Sequence, residues 1–259
     1  KKNGSLLDLP MALGILAATQ QYTVPNKTIF LGELSLNGVL KPIPSALPIC
    51  YSLMEQFPDF RIALPSQNQK DILLLNKKPF IFFENLSDVI KNKQVNKPVS
   101  IIKTIKKSHR KHSDFSTLIG LNTIKTALVL ALIGKQNVLL IGPPGCGKSQ
   151  LLKCLPTITQ DLNLKEKIEN LRISGLINSK FINLNEMPIQ APHHTISYAG
   201  MFGGGTPIKP GAISLAHHGL LILDELPEFK RDILEGLRQP MEDKYIQLSR
   251  LKQHIKLPA

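Results

Sequence analysis

The sequence predicts an α/β protein in two parts, a small α/β domain followed by a larger α/β domain built around a phosphate loop. Three observations carry this. The glycine-rich octapeptide GPPGCGKS at 142–149 follows the apolar run Asn137 to Ile141 directly. A second apolar run, from Leu220, ends in the carboxylates Asp224 and Glu225. Between Lys91 and His112 lie eight Lys or Arg and no Asp or Glu, a composition that reads as a tether between domains.

Taken in order, Asp8 to Ala18 (DLPMALGILAA) reads as a helix, with Asp8 as its cap and Pro10 near its start, where a missing N–H costs nothing. Residues 29–43 read as two short strands around the turn Asn37-Gly38. Tyr51 to Phe57 looks helical, Arg61 to Pro65 reads as a strand, and 80–90 as strand, turn and helix. These elements make a first domain over 1–92, followed by the basic linker 93–114 and a second domain over 115–259. In the second, 119–134 reads as a helix leading into a buried strand at Val138 to Ile141, then the loop, then the helix Ser149 to Leu155. Tyr245 to Lys256 is expected to form a hairpin.

The loop's chemistry points to ATP. Gly142, Gly145 and Gly147 lack side chains, so consecutive backbone N–H groups can turn toward one anion, with Pro143, Pro144 and Cys146 between them. Lys148 supplies a cation for the β- and γ-phosphates. Ser149 opens the next helix, where its hydroxyl can ligate Mg²⁺, and Gln150 follows it at the phosphate end. Asp224 is expected in the Mg²⁺ shell and Glu225 as the acceptor of a proton from an attacking water. Each signal has a plainer reading, a connecting loop for the first and a helix-capping turn for the second, but the two together outweigh it.

Composition sets the remaining limits. The net charge of +13 suggests a polyanionic partner, yet much of it sits in the linker, which serves equally well as a phosphate-tracking arm or a solvated tether. With 5% aromatic residues and no Trp, an aromatic platform for stacking bases is poorly supported. Lys1 to Leu16 lacks the zones of a secretory signal and no apolar run reaches roughly eighteen residues, so the expected setting is the cytoplasm, away from membranes. Cys50, Cys146 and Cys154 have no metal-type spacing and are expected as free thiols. The pairs His193-His194 and His217-His218 invite a metal hypothesis. Adjacent side chains are expected to diverge, however, and no third ligand has zinc-like spacing, so hydrogen-bonded histidines flanking the site are the expected role.

Several segments extend the reading by resemblance. The first domain resembles the Lon-type protease fold, but Met11 stands where that family has its nucleophilic Ser, and Leu47 and Pro48 fall near its Lys position. The resemblance therefore implies a protease-like domain without the chemistry, since acyl attack needs a nucleophile and a base. APHHTIS at 191–197, GGG at 203–205, PIKPGAISLAHHG at 207–219 and LDELPEFKRDILEGLRQPMED at 223–243 resemble the ComM/YifB family of magnesium-chelatase-like AAA+ ATPases. Three positions depart from it: Ala212 where Glu is usual, Gln190 where Arg is common, and Lys244 where Gly follows the acidic pair. The resemblance implies a hexameric, DNA-stimulated ATPase or helicase-type motor acting in DNA uptake, recombination or branch migration, with Ala199 to Gly211 and the 245–256 hairpin facing the ring channel. Other readings are a chelatase-type ATPase remodelling a protein partner, or a nucleotide- or DNA-binding module without turnover. Arg231, Arg238 and Arg250 do not match the late position of an arginine finger, and the sequence reads as a piece lacking both ends of the family's length.

Overall fold

The structure is a computed structural model describing residues 5–72, 75, 80–95, 115, 118–175, 186–206, 208–250 and 253–259. Most of the basic linker, with the loop residue Pro207, falls outside that set. The chain forms two compact units, Lys1–Lys103 and Thr104–Ala259, and both mix helices with parallel strand pairs.

In the first unit, helix α1 (Asp8–Ala18) buries Leu9 and Leu13, one turn apart on one face. Asp8 does not cap this helix. Leu7 holds the cap position and makes no side-chain bond there, so Asp8 lies inside the first turn, where its charge favours the helix dipole. Strands β1 (Thr28–Phe30), β4 (Arg61–Pro65) and β5 (Phe80–Phe83) form a parallel sheet in the order β1-β4-β5. Between β1 and β4 come the antiparallel pair β2 (Glu33–Leu34) and β3 (Leu40–Lys41) and helix α2 (Ala46–Gln56). The predicted turn joins β2 to β3, with Gly38 at φ +81°. Helix α2 starts five residues earlier than the pattern suggested, because Pro48 in its first turn needs no N–H partner. Buried Asn68 fixes its entry: Oδ1 accepts the Ile43 N–H at 2.9 Å, while Nδ2 donates to Ile43 O and to Asp71 Oδ2, each at 2.9 Å. Helix α3 (Leu86–Ile90) follows β5, capped by Asn85, whose Oδ1 accepts the Asp88 N–H at 2.8 Å. Leu9, Leu13, Phe30, Leu40, Ala63, Ile81, Phe83 and Val89 form the core.

Among the described residues, the second unit has two cores. Helix α4 (Asn122–Ile133) packs Leu128 against Leu151, Cys154 and Leu155 of the segment that begins with α5 (Lys148–Cys154). The other core gathers Met201, Phe202, Ala212, Ile213, Phe229, Ile233 and Ile246. All but Phe229, which lies just before α9, come from α7 (Tyr198–Phe202), α8 (Ala212–Leu215), α9 (Arg231–Gly236) and the hairpin of β10 (Tyr245–Arg250) and β11 (Gln253–Pro258). A smaller hairpin, β7 (Gly203–Gly204) with β8 (Lys209–Pro210), lies within the glycine-rich stretch. Strands β6 (Ile189–Gln190) and β9 (Leu220–Leu221) pair in parallel, Ile189 opposite Leu220 and Gln190 opposite Leu221.

A further expectation fails. Val138 to Ile141 is no buried strand: 137–141 has no ladder partner among the described residues, and Val138, Leu139 and Ile141 are 48%, 65% and 88% exposed. Only Leu140 packs, against the α4–α5 core. Apolar content makes a segment able to be a strand, but a neighbour must take its N–H and C=O groups before it becomes one.

Candidate functional site

The phosphate loop keeps its local geometry although the preceding segment is unpaired. Gly145 and Gly147 stand at φ +79° and +89°, a region closed to most side chains, and Gly147 caps α5 so that the helix begins at Lys148. A Cβ on Gly142 would meet Cys146 Sγ at 3.1 Å, a close approach that glycine relieves. The half-buried Lys148 folds back over the loop. Its ammonium donates to the carbonyls of Gly142 and Pro143, each at 2.8 Å, and lies 3.5 Å from Cys146 Sγ. Pro143, Pro144, Cys146, Ser149 and Gln150 face solvent at its mouth.

Asp224 and Glu225 follow β9 as the sequence predicts, though the ladder is shorter than the apolar run. Pairing stops at Leu221, the Ile222 N–H still donates to Gln190 O at 2.8 Å, and the two carboxylates then sit in an exposed turn. Asp224 Oδ1 accepts the Glu225 N–H at 3.1 Å, and Glu225 adopts a left-handed φ of +55°. Backbone strain of this kind gathers at functional turns. His194 belongs to this turn, which gives a histidine expected to flank the site its partner: its Nδ1 lies 3.5 Å from Glu225 Oε2, and its ring meets Phe229 edge-on at 6.5 Å. The signal was the APHHTIS segment, whose His193 Nδ1 bonds Thr195 Oγ1 at 2.9 Å and whose Ser197 caps α7 by accepting the Gly200 N–H at 3.1 Å. Arg231 and Arg238 are held in ion pairs along their own helices, with Glu235 at 2.7 Å and Glu242 at 2.9 Å.

The histidine pairs correct the sequence reading. The rings of His193 and His194 lie 4.0 Å apart, and those of His217 and His218 3.9 Å apart, so the adjacent side chains converge. His218 takes a left-handed φ of +55°, which breaks the alternation that would send neighbours to opposite sides. Both rings of the second pair reach Glu169 on helix α6 (Leu164–Gly175): His217 Nε2 at 3.4 Å and His218 Nε2 at 2.5 Å from Glu169 Oε2. Burial and the neighbouring His218 push the His217 pKa down, against the pull of Glu169. Burial raises that of Glu169, but hydrogen bonds from His218 and His217 outweigh it and hold the carboxyl below its ordinary value.

A glycine-rich loop entering a helix, set in an α/β unit with paired carboxylates after a parallel strand, defines the class as phosphate-loop ATP-binding proteins of the AAA+ type. The family model for magnesium chelatase, subunit ChlI, matches residues 114–259, and one for subunit ChlI of Mg-chelatase matches residues 1–68. The chain belongs to this magnesium chelatase family. It is 36% identical to the competence protein ComM of Haemophilus influenzae, over all of this chain and 52% of that protein. To the uncharacterised YifB of Escherichia coli it is 35% identical with the same coverage. To an uncharacterised protein of Mycobacterium tuberculosis it is 31% identical over 96% of this chain and 51% of that one. The chain thus spans about half the length of these curated relatives. Among the described residues, no helix is long and apolar enough to cross a membrane.

Proposed function

We propose that the chain binds ATP with Mg²⁺ at Gly142 to Gln150 and hydrolyses it as a cytoplasmic, DNA-stimulated motor of the ComM class, working as a hexamer in DNA uptake, recombination or branch migration. The observation that carries this is the Lys148 ammonium docked on the Gly142 and Pro143 carbonyls, inside a loop whose Gly145 and Gly147 already hold the turn. A phosphate exchanges with those two carbonyls for a cation already in place, so little reorganisation accompanies binding. Ser149 and Asp224 offer the hard oxygen donors that suit Mg²⁺, which neutralises phosphate charge when bound. Glu225 accepts the proton of the attacking water, and His194 at 3.5 Å orients its carboxylate.

DNA contact is assigned to the β10–β11 hairpin, where Lys256 Nζ lies 3.4 Å from the centroid of the Tyr245 ring and Lys244 stands at the base. Cations there suit backbone phosphates without sequence preference. The first domain, 1–92, is assigned a Lon-like role in binding or assembly. Exposed Met11 and buried Leu47 and Pro48 at the positions named above support this, since none supplies a nucleophile or base. The test is steady-state ATP hydrolysis by the chain, with and without single-stranded or branched DNA, beside Glu225→Gln. DNA-stimulated turnover lost in Glu225→Gln supports the motor. DNA-independent turnover that a protein partner raises moves the assignment to chelatase-type remodelling, and ATP binding without turnover moves it to a binding module.

A further inference from the structure

We infer that Glu169, His217 and His218 form a binding site for a transition-metal dication of the Zn²⁺ class, separate in its residues from those assigned to Mg²⁺. The three side chains each present one ligand atom, and these atoms lie within 4.8 Å of one another. Metal–ligand bonds of about 2.0–2.2 Å in a tetrahedral shell set donors about 3.3 Å apart. His217 Nε2 and Glu169 Oε2 stand at 3.4 Å, so that edge of the shell is already formed. His218 Nε2 and Glu169 Oε2, at 2.5 Å, share a hydrogen bond, and an ion replacing its proton spreads them by less than an ångström.

The outer contacts distinguish a site from a chance cluster. Imidazole ligands are usually oriented by a partner on their second ring nitrogen. Here His217 Nδ1 lies 3.4 Å from the carbonyl oxygen of Ala259, and His218 Nδ1 lies 3.8 Å from Glu166 Oε1. Glu166 is itself anchored, receiving Lys135 Nζ at 2.9 Å and the Asn163 N–H at 3.0 Å at the start of α6. Both rings therefore turn Nε2 inward to Glu169, with His217 Nδ1 on an acceptor and His218 Nδ1 facing the Glu166 carboxylate at an ion-pair distance too long for a hydrogen bond. The left-handed backbone at His218 makes this convergence possible for adjacent residues, at a conformational cost that a bound ion offsets. The set of two imidazoles and one carboxylate selects the ion: imidazole suits zinc, cobalt or nickel, whereas Mg²⁺ takes oxygen donors. The ligand side chains are 13–30% exposed, which leaves a path for the ion and a further position for water. Bound there, the ion ties α6 to the turn that enters β9, the strand preceding Asp224 and Glu225.

The test is a Zn²⁺ titration of the metal-free 259-residue chain against a chromophoric chelator, with no nucleotide present. The expected result is one tight equivalent, weakened at least about tenfold to a hundredfold in Glu169→Gln and in His217→Ala, and unchanged in His194→Ala. Absence of a tight equivalent overturns the inference, as does undiminished binding by Glu169→Gln or loss that follows His194 instead. Far-UV circular dichroism establishes that each variant is folded. Should His217→Ala unfold, Co²⁺ added to the wild-type chain decides: four-coordinate d–d bands without thiolate charge transfer support the site, whereas a hexa-aqua-like or thiolate spectrum overturns it. ATP hydrolysis plays no part in these readouts, so this inference and the motor proposal fail independently.

Discussion

Replacing Gly219 with Ala tests the strand pairing that carries the carboxylates. Gly219 sits between the histidine turn and β9, and a Cβ built there falls 1.9 Å from the carbonyl oxygen of Pro188 and 2.8 Å from its carbonyl carbon. Real Cβ atoms essentially never come closer than 3.0 Å, so the backbones must separate by at least 1.1 Å, and neither is the far end of a flexible side chain. The same carbonyl accepts the Leu220 N–H at 2.9 Å, and the neighbouring Ile222 N–H donates to Gln190 O at 2.8 Å. A separation of that size breaks the first bond and strains the second. Overpacking costs about 1–3 kcal/mol and the lost backbone bond about 1 kcal/mol, giving a destabilisation of about 2–4 kcal/mol. For a chain of this size that lowers the Tm by about 10 °C. Differential scanning calorimetry measures it, with Gly14→Ala as control, because nothing lies within 4 Å of a Cβ there and alanine suits the helix. A Gly219→Ala chain melting within about 2 °C of wild type refutes the β6–β9 register and the placement of Asp224 and Glu225 that depends on it.

Lys148→Ala removes the ammonium from the loop and is expected to weaken binding of a fluorescent ATP analogue about 10- to 100-fold, the worth of a charge-assisted hydrogen bond, with little change in Tm. Lys244 sits at φ +61°, a left-handed backbone that glycine adopts without strain, so Lys244→Gly should stabilise by about 1 kcal/mol and raise the Tm by about 2–4 °C. Ile233 is 0% exposed in the second core, and Ile233→Ala should cost about 2–5 kcal/mol in urea unfolding. A maleimide titration should modify exposed Cys146 in the folded chain and spare buried Cys50 and Cys154. Burial pushes the Cys50 thiol from 9.0 up to about 12. Because the folded value is the higher, this group's contribution to stability is fully present below pH 9.0 and is lost as the pH rises toward about 12. Cys50→Ala should flatten that alkaline decline in urea midpoints.

Much of the first unit was legible because its signals are local. The Asn37-Gly38 turn, the Arg61–Pro65 strand and the Phe80–Ile90 strand, turn and helix depend on residue types within a few positions of one another. The loop at 142–149 was legible for the same reason, its glycines being needed by the chain's own turn. The 137–141 segment was misread because its apolar residues state a capacity for pairing and name no neighbour. Asp8 was misplaced by one position because helix ends depend on backbone angles that residue type does not fix.

By itself the sequence determined the family, through segments spread along the second unit, and it supplied GPPGCGKS and the Asp224-Glu225 pair as local signals that need only spacings of a few residues. Only the tertiary structure decided which distant groups meet. Glu169 reaches a histidine pair 48 and 49 residues away, and His194 comes beside Glu225. Those encounters depend on helix packing and on a left-handed residue at position 218, and neither leaves a periodic trace in the chain.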